Sequence, residues 1–130
     1  MSVQDRAGAV VYAKDIARVS AFYAGVAKLR IAHSEDDHIV LESNGLQLVV
    51  VAIPERIASS IEIETPPVRR EDTPIKLVFP VPSISAARVA APKHGGELNA
   101  EEREWAFQGT RVCDGHDPEG NVVQFRQIAP

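Results

Sequence analysis

The feature that most constrains the fold is a pattern of apolar strand, capping residue and helix that occurs twice, 68 residues apart. Asp15 and Ser83 hold the cap position, where a carboxylate or hydroxyl can accept the free N–H groups of a first helical turn. An apolar run that contains β-branched residues precedes each cap. A shift of the sequence by the same 68 residues aligns Val10-Val11 with Val78-Phe79. Because self-similarity at a fixed period indicates an internal duplication, the sequence predicts two similar units in one chain.

The first unit predicts one helix among four strands. Its opening strand covers residues 7–13, and apolar residues at helical spacing run from Ile16 to Val26 behind the cap. Three further strands are expected at 29–33, 38–42 and 46–53. Asn44-Gly45 predicts a hairpin between the last two, because both residues tolerate positive φ.

The second unit repeats this order. A strand over 75–81 leads to Ser83 and to a helix from Ile84 to about Ala91. The remaining strands are expected at 97–99, 105–112 and 122–126, with a turn at Asp117–Asn121. Prolines in strands belong at edges or bulges, so Pro80 and Pro82 leave the register after Phe79 open.

The proline-rich stretch 54–74 predicts a connector between the halves, with 61–63 as a short extended piece. We therefore expect one α+β domain over 1–130, built of two tandem βαβββ modules. Module one spans about 5–54, the connector about 55–74 and module two about 75–128.

Composition excludes several classes of function. A net charge of -4 and the absence of a basic cluster argue against nucleic-acid binding. Cys113 is the only cysteine, so no intrachain disulfide can form. The start of the chain does not resemble a signal peptide, and the longest aliphatic run is too short to span a bilayer. We expect a cytoplasmic protein without nucleic-acid or membrane partners.

Three stretches resemble the vicinal-oxygen-chelate superfamily of glyoxalases, bleomycin resistance proteins and dioxygenases. They are VVYAKDIARVSAFY at 10–23, IKLVFPVPSISAA at 75–87 and DPEGNVVQF at 117–125. The resemblance covers nearly the whole chain. It implies a curved, cup-shaped mixed sheet made of two open β modules around a cavity, and a homodimer, as many members form.

The resemblance also implies four metal-ligand positions, which metal-using members fill with His or Glu. They fall at Gly8, Gln47, Lys76 (Ile75 if the register shifts by one) and Gln124. Gly8 has no ligating side chain, Lys76 repels a cation, and the two amides are weaker donors than carboxylates. We therefore expect no metal ion and no other cofactor.

The other reactive side chains predict no second site. His33 and His38 flank an acidic turn that could attract a cation, but we favour a solvated hairpin. His94 is expected at a helix end and His116 in an exposed loop. Cys113 is expected to be an inert thiol, since no sequence feature lowers its pKa.

Strand alternation places an aromatic and polar set in the implied cup. On the strand at 105–112, Trp105, Phe107 and Arg111 share one face if no bulge intervenes. The alternatives are that Trp105 and Phe107 pack in the core and that Arg111 pairs with Asp114 or Glu119. The candidate cup residues are Tyr12, Gln47, Lys76, Trp105, Arg111 and Gln124.

The sequence is compatible with three functions. The first is a metal-independent protein that binds a small aromatic or carboxylate-bearing molecule in the cup. The second is a divalent-metal-dependent lyase, isomerase, epimerase or ring-cleaving dioxygenase. The third is a structural or regulatory dimer without ligand, which a cavity filled by Tyr12, Trp105 and Phe107 would favour. The long connector would permit two chains to exchange modules.

Overall fold

A computed structural model describes residues 5–128 of the chain. Its helices and strands, in chain order, are β1 (Ala7–Ala13), α1 (Ile16–Gly25), β2 (Arg30–Ser34), β3 (His38–Glu42), β4 (Leu46–Ala52), α2 (Glu55–Ala58), β5 (Leu77–Pro80), α3 (Ile84–Lys93), β6 (Glu97–Leu98), a 3-10 turn (Glu101–Arg103), β7 (Trp105–Phe107), β8 (Thr110–His116) and β9 (Val122–Ile128). None of the helices in this described range is long and apolar enough to cross a membrane.

Module one folds as the sequence predicts. Its sheet has the order β1-β4-β3-β2, with β1 parallel to β4 and the other pairs antiparallel. The Asp15 carboxylate accepts the N–H of Arg18 at 3.0 Å and caps α1, because that N–H has no partner inside the helix. The hairpin between β3 and β4 forms at Asn44-Gly45, although neither residue adopts positive φ.

Module two has the sheet order β5-β9-β8-β6, with β7 also paired to β8. The prediction of a single strand over 105–112 is wrong, because Gln108 and Gly109 form a tight turn with φ of 45° and 76°. The strand therefore folds back on itself as the hairpin β7–β8. Strands β6 and β7 pair with opposite ends of β8 and together take the place that β2 has in module one.

The remaining predicted elements differ in length. Strand β5 is shorter than the predicted 75–81, and its register with β9 is continuous through Pro80. Pro80 is tolerated because β5 is an edge strand of its sheet. Helix α3 extends to Lys93 and includes Pro92 in its last turn. The connector contains the short helix α2, which was not predicted, and residues 61–63 form no strand.

Both modules share one hydrophobic core. Phe22 and Tyr23 of α1 contact aromatic residues of module two, with ring centroids 6.4 Å apart for Phe22–Phe125 and 5.4 Å for Tyr23–Phe79. All four side chains are buried. Each sheet thus packs one face against the core and leaves its other, concave face free of helices.

The turn at Asp117–Asn121 joins the two modules. The Tyr23 hydroxyl donates to the buried Asp117 carboxylate at 2.7 Å. The Glu119 carboxylate accepts the backbone N–H groups of Lys14 and Asp15, each at 2.8 Å. Burial, together with the neighbouring Asp117 carboxylate, raises the pKa of Tyr23 well above its usual value. We call this turn and its contacts with module one the module joint.

Candidate functional site

The strand register defines the concave face of module two. Val78 of β5, Gln124 of β9 and Asp114 of β8 lie directly opposite one another, so their side chains share one face. The adjacent residues along these strands, such as Cys113 before Asp114 and Phe125 after Gln124, are buried in the core. Because successive side chains of a strand alternate, Asp114 and Gln124 must point away from the helices.

A continuous chain of polar contacts crosses this face. The Lys76 ammonium group donates to Asp114 Oδ2 at 2.7 Å, and Gln124 Nε2 donates to Asp114 Oδ1 at 3.2 Å. The Gln124 carbonyl oxygen accepts from Arg126 Nε at 2.9 Å. Each contact fixes the next side chain, so the guanidinium of Arg126 is held in one orientation. We call these four side chains the polar row.

Aromatic side chains continue the polar row toward β7. The guanidinium carbon of Arg126 lies 4.9 Å from the centroid of the Phe107 ring, which is a cation–π distance. Trp105 and Phe107 are 40% and 42% exposed, so the alternative that they pack in the core is wrong. They form an open apolar wall beside a cation.

Arg111 does not belong to this face. The hairpin β7–β8 places Arg111 opposite Ala106, whereas Trp105 lies opposite Val112. A two-residue turn inverts the alternation that one uninterrupted strand would have, so Arg111 and Trp105 point to opposite sides of the sheet. Arg111 Nε donates to Glu104 at 3.0 Å, so the alternative partners Asp114 and Glu119 are also incorrect.

Glu104 is the centre of a separate ion cluster behind the sheet. Its carboxylate contacts Arg88 of α3 and Arg111. Burial raises the pKa of Glu104, but the hydrogen bonds from the two guanidinium groups outweigh that effect and the net pKa is lowered. Cys113 lies 3.5 Å from Arg88 and is buried, and burial raises the pKa of its thiol, in agreement with an inert cysteine.

The concave face of module one is more apolar. Gly8, Val10 and Tyr12 of β1 share a side of the sheet, and Tyr12 is 63% exposed. Gln47 lies opposite Gly8, and its amide approaches Glu42 at 3.4 Å. Glu42 also pairs with Arg6 and Arg30 at 3.1 and 3.0 Å. These ion pairs lie at the end of the face that carries Gly8.

A groove of about 600 Å³ separates β1 from β5 and β9. Val10 and Tyr12 line it from module one, and Ile75, Leu77 and Val122 line it from module two. Of the predicted cup residues, Tyr12 faces this groove, while Lys76 and Gln124 belong to the polar row. Trp105 stands on the same side of module two, and Gln47 is engaged with Glu42.

Three further side chains complete the site and were not among the predicted cup residues: Asp114, Arg126 and Phe107. The sequence already places Arg126 on the face of Gln124 and Phe107 on the face of Trp105, each two positions along the same strand. Asp114 could not have been found from the sequence. The side of the sheet on which it lies is known only when the hairpin turn at Gln108-Gly109 has been located.

The resemblance implies metal-ligand positions at Gly8, Gln47, Lys76 and Gln124, and the contacts of these residues define the donors available there. Gly8 has no donor, the Lys76 ammonium is bound to Asp114, and the Gln124 oxygen accepts from Arg126. These donors do not fit a divalent ion. Within residues 5–128, no group of three or more His, Cys, Asp or Glu side chains is arranged to hold a metal.

His116 differs from its prediction. It is 4% exposed and lies in β8 rather than in an exposed loop, with Nδ1 at 2.9 Å from the carbonyl oxygen of Asp117. The reason is that the turn after it is buried in the module joint. His94 caps the C-terminal end of α3, as expected.

The fold, in which each of two modules places a capped helix on one face of a mixed sheet, is of the vicinal-oxygen-chelate type. The family model of the glyoxalase-like domain matches residues 8–125. The chain therefore belongs to the glyoxalase-like family, within that superfamily. A comparison with curated proteins found no significant match.

Several solved structures share this fold. A glyoxalase/bleomycin resistance protein/dioxygenase family enzyme from Burkholderia phytofirmans PsJN is 18% identical, with a TM-score of 0.67, over 96% of this chain and 99% of that one. A bleomycin resistance determinant encoded on transposon Tn5 is 16% identical, with a TM-score of 0.59, over 95% and 98%. A fosfomycin resistance protein from Mesorhizobium loti is 8% identical, with a TM-score of 0.63, over 98% and 93%. At these identities the likeness establishes the fold alone.

Proposed function

We propose that this protein binds a small aromatic carboxylate on the concave face of module two, without a metal ion. The observation that carries the proposal is the setting of Arg126. Gln124 and Phe107 hold its guanidinium through Nε and one ring face. Within residues 5–128 no carboxylate forms a salt bridge with Arg126, so its two Nη groups can take a carboxylate in a bidentate manner.

The charge balance of the polar row favours an anionic ligand. Lys76 and Asp114 neutralise one another across 2.7 Å, which leaves the charge of Arg126 uncompensated within the row. A cationic drug would meet like charge at this point, whereas a carboxylate would complete the row. Trp105 and Phe107 provide the apolar surface on which an aromatic ring would stack.

The metal-free mode follows from the donor chemistry at the four family positions. An enzyme of the metal-using branches needs an ion that polarises its substrate, and Gly8 and the paired Lys76 supply no ligand for one. We therefore propose that the protein binds or sequesters its ligand and does not transform it. The structural dimer without ligand is less well supported, because Tyr12, Trp105 and Phe107 are exposed and fill no cavity.

We further propose that the protein acts as a homodimer in the cytosol. Val10 and Tyr12 lie on the concave face of module one and are 56% and 63% exposed, and a second copy could cover them while Trp105 and Phe107 stay open for the ligand. The buried thiol of Cys113 is compatible with a reducing compartment. Sedimentation should give about twice the 14.1 kDa mass of one chain; a mass near 14.1 kDa would contradict the dimer.

The binding proposal is tested by titrating the untagged protein with 2-naphthoate. The variant Arg126→Ala should lose about 10- to 100-fold in affinity, since a hydrogen-bonded charge contributes about 1.5–3 kcal/mol. Arg126→Lys should recover only part of this, because an ammonium group cannot bind a carboxylate as a planar fork.

Arg111→Ala is the matched control, because it removes a guanidinium from the opposite side of the same sheet. It should leave the affinity unchanged. Equal losses in Arg126→Ala and Arg111→Ala would mean that only net charge matters and would overturn the proposed site.

A further inference from the structure

The hairpin β2–β3 brings two histidines together on the concave face of module one. His33 lies opposite Val40, and His38 lies two residues before Val40 on the same strand. The two side chains therefore occupy diagonal positions on one face. Their ring centroids are 5.9 Å apart, and their side chains are 56% and 34% exposed, so both rings are open to solvent.

Each imidazole is oriented by a carboxylate of the intervening turn. His33 Nε2 lies 2.7 Å from Glu35 Oε2, and His38 Nδ1 lies 2.7 Å from Asp37 Oδ1. An ionised carboxylate can only accept a hydrogen bond, so these ring nitrogens carry the proton. In the neutral rings the lone pairs then reside on His33 Nδ1 and His38 Nε2, which have no protein partner within residues 5–128.

We propose that His33 and His38 form a two-imidazole site for a divalent transition-metal ion such as Zn²⁺. The carboxylates of Glu35 and Asp37 would act behind the ligands, as outer partners commonly do for metal-bound histidines. Water would fill the remaining coordination positions. The site is separate from the four positions used by metal-dependent members of the family, which here carry Gly8, Gln47, Lys76 and Gln124.

The ring spacing agrees with this assignment. With a Zn–N bond of about 2.0–2.1 Å and a ring centre about 1.1 Å beyond the nitrogen, each centroid lies about 3.2 Å from the ion. Two such rings on one ion would be about 5.2 Å apart at a tetrahedral angle and at most about 6.4 Å apart. The observed 5.9 Å falls inside this range. Imidazole nitrogen also selects Zn²⁺, Cu²⁺ and Ni²⁺ over Mg²⁺, which prefers oxygen ligands.

The test is a Zn²⁺ titration of the untagged, EDTA-treated and dialysed protein, followed by calorimetry and by the NMR signals of the imidazole protons. We expect one Zn²⁺ per chain, with shifts confined to His33 and His38, and no binding of Mg²⁺. His33→Ala and His38→Ala should each abolish the saturable binding. His33 is exposed and the His38 side chain is 34% exposed, so these variants are expected to fold.

Asp37→Asn tests the orienting carboxylate and should weaken Zn²⁺ binding about tenfold. Asp36→Asn is its matched control, because it removes the same charge from the same turn without a hydrogen bond to either ring. Equal effects of the two variants would mean that the turn attracts Zn²⁺ only through its overall negative charge, and this would overturn the proposed site. Absence of saturable Zn²⁺ binding, or binding that persists in the double variant His33→Ala/His38→Ala, would also refute it.

Discussion

The two modules have the same order of strand, capped helix and antiparallel strands, but their concave faces differ. Module two carries the polar row from Lys76 to Arg126, beside the exposed rings of Trp105 and Phe107. Module one carries Gly8, Val10 and Tyr12, with the ion pairs of Glu42 at the Gly8 end and the histidine pair at the Tyr12 end. The core faces, in contrast, are apolar in both modules and pack into one cluster.

This difference separates what the fold requires from what a binding site requires. Each module needs one apolar face against a helix, and this requirement fixes the period of apolar residues in the sequence. The concave face is free of that requirement, so its side chains can diverge after a duplication. Under the proposed function, recognition would reside mainly in module two, and module one would supply an apolar boundary of the groove.

The largest expected effect concerns the module joint, which couples the two modules in spite of their different faces. Asp117→Ala removes a buried acceptor that binds the Tyr23 hydroxyl, the N–H groups of Glu119 and Asn121, and the Asn121 amide. We expect a loss of about 3–5 kcal/mol in the free energy of unfolding, measured by urea denaturation.

Tyr23→Phe is the control for the joint, because it removes only one of these donors and should cost about 1–2 kcal/mol. Both variants should unfold in a single transition, since the modules share their core. A loss below 1 kcal/mol for Asp117→Ala, or two separate transitions in the wild-type protein, would show that the modules are independent.

An intermediate effect on stability is expected for two carboxylates, Glu104 and Glu42, each of which binds two arginines. Glu104 in module two has a 7% exposed side chain, whereas Glu42 in module one is 17% exposed. Glu104→Gln should cost about 1–2 kcal/mol at pH 7, a value reduced from that of a fully buried pair because Arg111 is 47% exposed. Glu42→Gln should cost less.

The pH dependence of this effect has a definite sign. The pKa of Glu104 in the folded protein lies below its ordinary value of 4.5, so its stabilisation is fully present above that value and is lost as the pH falls through the folded pKa. The difference in stability between the wild-type protein and Glu104→Gln should therefore shrink between pH 7 and pH 3. A difference that stays constant over this range would contradict the ion cluster.

The smallest expected effect on stability concerns one glycine in the hairpin turn of each module. Gly109 adopts φ of 76° and has no atom near the position of an added Cβ, so Gly109→Ala should cost about 1 kcal/mol through backbone strain alone. Gly45 is equally unobstructed but does not adopt positive φ, so Gly45→Ala should be neutral or slightly stabilising. Thermal denaturation of the two variants would measure this; equal melting temperatures would show that the turn at Gly109 is not the one described.

Most of the fold could be predicted from the sequence because it depends on local signals. The strand at 7–13, the caps Asp15 and Ser83 and the hairpin at Asn44-Gly45 all follow from apolar periodicity and capping chemistry, and the structure confirms them. The strand at 105–112 could not be divided correctly, since its alternation continues through a turn that Gly109 alone marks. Because of this single error, Arg111 was predicted on the wrong face of the sheet and Asp114 was not recognised as part of the site.

The candidate site was less predictable because it depends on contacts between distant strands. Lys76 and Asp114 are 38 residues apart in the chain, and only the pairing of β5, β9 and β8 brings them to 2.7 Å. The buried role of Glu119 likewise requires the second module to fold against the first. Neither relationship has a period or a spacing that a single sequence displays.

The most direct test of the central claim is the affinity of EDTA-treated, untagged protein for 2-naphthoate, measured with and without added divalent metal ions. We predict saturable binding in the metal-free protein, unchanged by Mg²⁺ or Mn²⁺, with NMR shifts at Arg126, Phe107 and Trp105. Binding that appears only after a metal ion is added, or that shifts residues on the helix side of the sheet, would contradict the account.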